Sequence, residues 1–240
     1  MAENQIQSDI SVQQKQSPLK TLADVFAAPA RAFEYVKQYP TWFFPVSLTI
    51  LVSVIFLVAT KDIMIDFQRQ SIYDNAIIPE QYKDKAIEDL ENKSDMRFYV
   101  ESVAGSVVSI AISYLVATGA IMLFGNFIFG GMASFKLNFA MFSWAGVIGI
   151  AESLVKMVLI LAKGSMLVYT SPAILLDVSE KSTAWFQFLD AFDIFVIWRI
   201  IVLATGFGII YKFSKAKSYT AIIVLYAIYQ AMKIGISQLF

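Results

Sequence analysis

The chain has 240 residues, of which 58% are hydrophobic, 15% aromatic and only 16% charged. A soluble domain is closer to half apolar and a quarter charged, so this composition, gathered into long apolar runs, predicts an all-α polytopic membrane protein. The formal net charge is +0 and there is no Cys or His, which gives no reason to expect nucleic-acid binding and excludes disulfides, Cys/His metal sites and His-based catalytic triads.

The first 17 residues are polar and are predicted to be disordered, with no apolar segment typical of a cleavable signal peptide. Residues 18–240 are predicted to form one membrane domain. It begins with Pro18–Tyr39, where apolar residues recur at a spacing near 3.6, which predicts an amphipathic helix bent near Pro29. Two placements stay open for this helix: on one membrane face as an interfacial helix, or packed on the loops of the bundle.

Five later runs have 19 or more residues, close to the ~20 needed to cross a hydrocarbon core of ~30 Å. Backbone polar groups inside a bilayer must be satisfied within the segment, so each run is predicted to be a helix of a five-helix bundle. The predicted spans are approximately residues 42–60, 102–124, 139–162, 186–211 and 219–239.

The connection 61–99 carries six Lys/Arg and nine Asp/Glu, and Pro79 is predicted to begin a helix within it. Tyr82, Ala86 and Leu90 are expected to form the apolar stripe of that helix, and the acidic residues a solvated face rather than a cation site. Lys and Arg are more frequent near the span ends on the side of the N-terminus. This bias predicts a protein of the cell membrane with a cytoplasmic N-terminus, an extracytoplasmic C-terminus and an extracytoplasmic 61–99 loop.

Small residues recur four positions apart in three of the predicted spans and indicate close helix–helix packing. Packing within one chain is expected, although packing between chains is also open. The residues concerned are Gly105, Ser109, Ser113 and Ala117 in the second span, Gly149 in the third, and Ala227, Ala231 and Gly235 in the fifth.

Six charged residues lie within the predicted spans three to five, and their charges sum to zero. They are Glu152, Lys156, Asp190, Asp193, Arg199 and Lys233. An isolated charge at the bilayer centre costs ~2.5–3.5 kcal/mol, which pairing can offset. Glu152 and Lys156 are four residues apart, so they lie on one helix face and can pair. A rise of ~1.5 Å per residue also puts Glu152 at the depth of Arg199, and Asp193 at the depth of Lys156 or Lys233. We expect buried ion pairs that fix helix register, with a polar path or ligand pocket as the alternative.

Three stretches carry a resemblance to a known family. They are LADVFAAPARAFEYVKQYPTWFFPV at residues 22–46, GGMASFKLNFAMFSWAGV at 130–147, and LDAFDIFVIWRIIVLATGFGIIYKFSKAKSYTAIIV at 189–224. In pattern and order they resemble the Yip domain family of Ypt/Rab-interacting proteins, on its prokaryotic branch. The resemblance implies five spans, a cytoplasmic N-terminus and an extracytoplasmic C-terminus, in agreement with the distribution of Lys and Arg.

The same resemblance bears on function. Eukaryotic members act in vesicle traffic and bind small GTPases through a longer cytosolic N-terminal segment, so small-GTPase binding is not expected of this chain. No catalytic constellation, metal site or cofactor is expected. The prediction is a non-enzymatic integral membrane protein that organises or assists other membrane components, as an accessory to export or trafficking machinery. Its expected partners are the lipid bilayer and other membrane proteins or itself. The alternative is a transporter or channel subunit that uses the charged cluster.

Overall fold

The computed structural model describes residues 16–75 and 77–239, so most of the N-terminal segment predicted to be disordered lies outside the described residues. The described part is built from α-helices with short 3-10 and π turns and holds no strand, which confirms the all-α prediction. The helices are α1 Pro18–Ala27, α2 Pro29–Gln38, α3 Phe43–Asp74, α4 Glu80–Glu91, α5 Asp95–Met122, α6 Phe135–Gly146, α7 Ile148–Lys163, α8 Ala184–Asp190, α9 Ile194–Tyr211 and α10 Lys215–Ser237.

Within residues 16–75 and 77–239, five helical segments are long and apolar enough to cross a membrane, as predicted. They are α3, α5 with the π-helical turn Leu123–Ile128 that continues it, α6 together with α7, α9, and α10. The first of them extends further than the apolar run suggests. It continues to Asp74, so the first third of the predicted 61–99 loop is a helical extension of the span.

The predicted fourth span is not one continuous helix. α8 ends at Asp190 and α9 begins at Ile194, with Asp193 as its N-cap. The Asp193 carboxylate accepts a hydrogen bond from the backbone N–H of Phe195 at 2.8 Å, and a side chain that binds nearby backbone amides favours such a cap over a helix interior. Asp190 and Asp193 therefore lie at a break before the span, and the depths predicted for an unbroken helix do not apply.

The N-terminal segment folds as two helices, α1 and α2, that meet at Ala28. Their apolar faces are fully buried at Val25, Phe33 and Val36. The amphipathic character predicted for this segment is therefore present, but the apolar face lies against the bundle's own helices α6 and α9 rather than against its loops.

α2 runs beside α9 in the same direction. The ring of Phe33 lies 3.0 Å from the point where a Cβ at Gly206 would stand, so only a glycine gives the two helices this approach. Near the C-terminal end of α2, Lys37 Nζ donates to the carbonyl of Ile209 at 2.7 Å. Ile209 lies in the last turn of α9, whose carbonyls lack partners within the helix. These contacts fix α1 and α2 as part of the core.

α6 and α9 form the centre of that core. Trp144 is 1% exposed, and its Nε1 donates to the carbonyl of Thr41 at 2.8 Å. At the end of α9, the hydroxyl of Tyr211 donates to Asn138 Oδ1 at 3.0 Å. A Cβ at Gly125 would lie 2.2 Å from Cζ of that tyrosine, so the π-helical turn requires a glycine there.

α4 packs on the extension of α3. Pro79 precedes its first residue, as predicted, but its buried face is formed by Lys83 and Ile87, while Tyr82 is 56% exposed. Lys83 donates to the carbonyl of Tyr73 at 2.8 Å and thereby ties α4 to α3. Across the described residues there is no group of three acidic, Cys or His side chains placed to hold a metal ion.

Candidate functional site

The break between α8 and α9 brings three of the predicted charged residues together. Lys156 on α7 lies with its Nζ 2.7 Å from Glu152 Oε1 and 3.0 Å from Asp193 Oδ2. Glu152 and Lys156 are one turn apart on the same helix, while Asp193 caps the next span. The predicted Asp193–Lys156 pair is present, and it joins α7 to α9.

Two hydroxyls from the connection between α7 and α8 complete the polar contacts. Thr170 Oγ1 donates to Asp193 Oδ2 at 2.5 Å, and Ser171 Oγ donates to Asp190 Oδ1 at 2.8 Å. From α10, the hydroxyl of Tyr226 donates to the carbonyl of Ala191 at 2.7 Å. The break is thus held in place by contacts with α7, with the connection between α7 and α8, and with α10.

Asp193 is only 3% exposed, and its ionisation follows from its neighbours. Burial alone raises the pKa of its carboxyl group, but the hydrogen bonds from Thr170 and from the Phe195 N–H, together with Lys156, outweigh burial and hold that pKa below its ordinary value. Burial raises the pKa of the nearby Tyr169 phenol, and the negative charge of Asp190 adds to that rise. In formal charges, the cluster of Glu152, Lys156 and Asp193 combines one cation with two carboxylates.

Arg199 and Lys233 do not join this cluster, so the predicted Glu152–Arg199 pairing is wrong, and of the two lysines predicted for Asp193 it is Lys156 that pairs. Among the described residues neither forms an ion pair within 4.0 Å, and Lys233 is exposed on α10. Glu152 is paired instead by Lys156, which is one turn away on its own helix. Arg199 lies six residues beyond Asp193, which turns it by ~120° around the helix and away from Asp193.

A cavity of about 290 Å³ lies beside Arg199, between α3, α5, α6, α7 and α9. It is lined by Thr49, Val52, Ser53, Tyr114, Phe142, Gly146, Gly149, Ile150, Glu152, Ser153 and Arg199. The hydroxyl groups in this lining were not predicted from the sequence. The hydroxyl of a single Ser or Thr in an apolar helix often only donates a hydrogen bond to the backbone of its own helix. Nothing in the sequence therefore marked these residues as lining a cavity.

The small-residue rows do not pack within the chain as expected. Gly105, Ser109 and Ser113 on α5 are exposed, with Ala117 half-buried, and Ala227, Ala231 and Gly235 on α10 are exposed. No atom lies within 4 Å of the Cβ position at either Gly105 or Gly235. Gly149 alone faces the interior, where its Cβ position is 3.8 Å from Nη1 of Arg199. Both long rows face outward from the monomer.

Together, the five candidate spans and the ion-paired break define a multi-pass helical membrane protein. The family model of the Yip1 domain matches residues 23–234, nearly the whole chain. The chain belongs to the Yip1 domain family, and the resemblance inferred from its three sequence stretches is confirmed. No curated protein and no solved structure gives a significant match.

Proposed function

We propose that this protein is a non-enzymatic membrane protein that organises or assists other membrane proteins, in the setting of export or trafficking machinery. The observation that carries the proposal is the pair of outward small-residue rows, on α5 and on α10, that the described part of the chain leaves uncovered. From the distribution of Lys and Arg near the span ends, we place the protein in the cell membrane with its N-terminus cytoplasmic and its C-terminus extracytoplasmic.

Small residues at four-residue spacing have a specific use in a membrane. Lipid tails are as apolar as Leu, so helices associate through close packing, and Gly, Ala and Ser let two backbones approach. The row Gly105, Ser109, Ser113 extends over more than two turns of α5, and the row on α10 has the same spacing. A transmembrane helix of another protein is the partner that fits such a face.

The charged cluster supports the same proposal because its charges are paired within the protein. Lys156 contacts two carboxylates, and Asp193 Oδ2 also accepts the Thr170 hydroxyl, so the charges of Lys156 and Asp193 are compensated within the protein. Groups that are paired in this way hold helices together and are not available to conduct ions. The outward surfaces then remain as the place where the protein acts.

Site-specific cross-linking in native membranes tests the proposal, because the chain has no Cys of its own. Single Cys variants S109C and A231C stand on the two rows. The matched controls are Leu115→Cys and Tyr229→Cys, which are also exposed but lie roughly 120° from Ser109 and roughly 160° from Ala231 around the same helices. We expect cross-linked products from the row positions and not from the controls.

The mass of each product identifies the partner. A product at twice the 26.8 kDa of the chain shows self-association, and another mass shows a different membrane protein. A product with a different membrane protein supports an organising role. Self-association alone shows that the rows only join copies of this chain into an oligomer. Equal or absent products from rows and controls overturn it. In the S109C variant, replacing Gly105 and Ser113 by Leu is expected to abolish the product while the protein still inserts and folds.

The cavity beside Arg199 favours a second candidate, a transporter or channel subunit. In that case ion flux through proteoliposomes, measured with a potential-sensitive dye, exceeds that of empty vesicles. Asp193→Asn abolishes the flux but leaves the elution profile and thermal unfolding of the protein unchanged. A variant that fails to fold, or wild-type vesicles without flux, favours the first proposal.

A further inference from the structure

Arg199 is a half-buried cation without an ion-pair partner among the described residues. It is the sixth residue of α9, about 7.5 Å along the helix from Ile194, inside a segment apolar enough to span the membrane. A cation within the hydrocarbon region is costly unless water or a negative group compensates it. The described protein supplies no such group within 4.0 Å, so compensation must come from the cavity that Arg199 lines.

A second charged group lines the same cavity. Glu152 uses Oε1 for Lys156 at 2.7 Å, whereas its other oxygen has no hydrogen-bond donor among the described residues. The cavity wall therefore presents a guanidinium and a carboxylate that lie more than 4.0 Å apart and do not pair directly. A ligand that carries two unlike charges can contact both.

The remaining lining gives the cavity an amphipathic character. Thr49 and Ser53 donate their hydroxyl protons to backbone carbonyls one turn back, at 2.9 Å each, and so can only accept hydrogen bonds from a ligand. Val52 and Phe142 add apolar surface. The volume of about 290 Å³ is close to the lower end of the ~300–1,000 Å³ usual for small-molecule pockets. A small headgroup fits, and a large substrate does not.

We propose that this cavity is a binding site for a small zwitterionic group, with its anionic part held by Arg199 and its ammonium by Glu152. Arg presents a planar fork of donors that matches phosphate or carboxylate oxygens, and the carboxylate and the hydroxyl acceptors match an ammonium. The chemistry is that of a phosphoethanolamine group, either on a lipid or free in solution. The site goes beyond the proposed organising role and does not depend on it.

The test measures binding of two probes to the purified full chain in micelles of a non-ionic detergent. One probe is phosphatidylethanolamine, counted as retained lipid by native mass spectrometry. The other is soluble phosphoethanolamine, measured by calorimetric titration. We expect binding of the lipid, and Arg199→Gln to weaken it at least tenfold. Lys233→Gln, which removes an exposed lysine outside the cavity, is expected to leave it unchanged.

Glu152 sets the selectivity. In the wild type we expect at least a tenfold preference for phosphatidylethanolamine over phosphatidic acid, which lacks the amine, and Glu152→Gln is expected to remove that preference. Gly149→Val tests the space independently of charge, because its side chain would occupy the room next to Arg199. It is expected to weaken binding at least tenfold while the protein elutes as the wild type does.

The outcomes separate the sources of the ligand. Binding of the lipid alone shows a lipid headgroup site, and binding of both probes shows a site that also takes the free group. If neither probe binds, or if Arg199→Gln and Gly149→Val both bind as the wild type does, the cavity holds only water and the proposal is wrong. Should Arg199→Gln fail to fold, Gly149→Val and the loss of selectivity in Glu152→Gln decide alone.

Discussion

Replacing Lys156 by Met tests whether the cluster at the helix break holds α7 to α9. The ammonium lies 2.7 Å from Glu152 and 3.0 Å from Asp193, so its removal leaves two carboxylates without their cation. Met keeps the length and flexibility of the side chain but has no charge. The experiment therefore isolates the electrostatic part of the contact.

The magnitude depends on how far each carboxylate can be rehydrated. Removing one partner of a buried pair costs roughly 3–5 kcal/mol, because the other charge stays uncompensated. The Asp193 side chain is 5% exposed and carries most of this cost, whereas Glu152 at 20% can partly recover solvent or turn to the cavity. We expect Lys156→Met to lower the free energy of unfolding by about 3 kcal/mol.

The assay is reversible unfolding in mixed micelles of a non-ionic and a denaturing detergent, followed by Trp fluorescence. The matched control is Lys233→Met, the same change at an exposed lysine of α10, which is expected to stay within ~0.5 kcal/mol of wild type. The double variant with Asp193→Asn, in which Asn still caps α9, should show a coupling of about 1–3 kcal/mol. A cost for Lys156→Met no larger than that of the control, or strictly additive effects, would refute the reasoning.

Three further predictions use the same assay. Thr170→Val removes the hydroxyl donor to the ionised carboxylate that caps α9 and is expected to lower the free energy of unfolding by ~1.5–3 kcal/mol. An unchanged free energy of unfolding would contradict this contact. Tyr226→Phe removes a neutral hydrogen bond to the chain carbonyl at the break and should cost ~1 kcal/mol, less than Thr170→Val. Gly206→Ala should lower the free energy of unfolding by ~1–3 kcal/mol, because the added Cβ would lie 3.0 Å from side chains of α2 and α6. The control Gly105→Ala, which has open space around it, should be neutral or slightly stabilising. Equal effects of the two substitutions would show that α2 does not pack against Gly206.

The membrane spans could be predicted because their signal is local. Length and hydropathy of a run are enough to identify a spanning helix, and all five candidate spans were found in this way. The break at 191–193 was missed, since the apolar residues continue across it. Its signal was present in Asp193, a residue type that caps helices, but the alternative of an intramembrane carboxylate could not be separated from a cap by the sequence alone.

The partners of the charged residues could be predicted only in part. The Lys156–Asp193 contact was predicted, although the depth argument behind it assumed an unbroken fourth span. The expected Glu152–Arg199 pair did not form, since Lys156, one turn away from Glu152, is a nearer partner than a residue on another helix. Thr170 was missed because it lies in a connection without periodicity, and its position depends on tertiary packing. The direction in which the small-residue rows face likewise depends on how the helices are rotated in the bundle.

Charge balance links the cluster to the cavity. Glu152, Lys156 and Asp193 together carry one net negative charge, and Arg199 supplies one positive charge that is not in contact with them. The four groups are neutral as a set, but the two net charges stand apart on the cavity side of the bundle. An anion alone would neutralise Arg199 and leave the cluster uncompensated, and a cation alone would do the reverse. A zwitterion compensates both at once and leaves the total unchanged, which is the electrostatic reason to expect one in an apolar bundle.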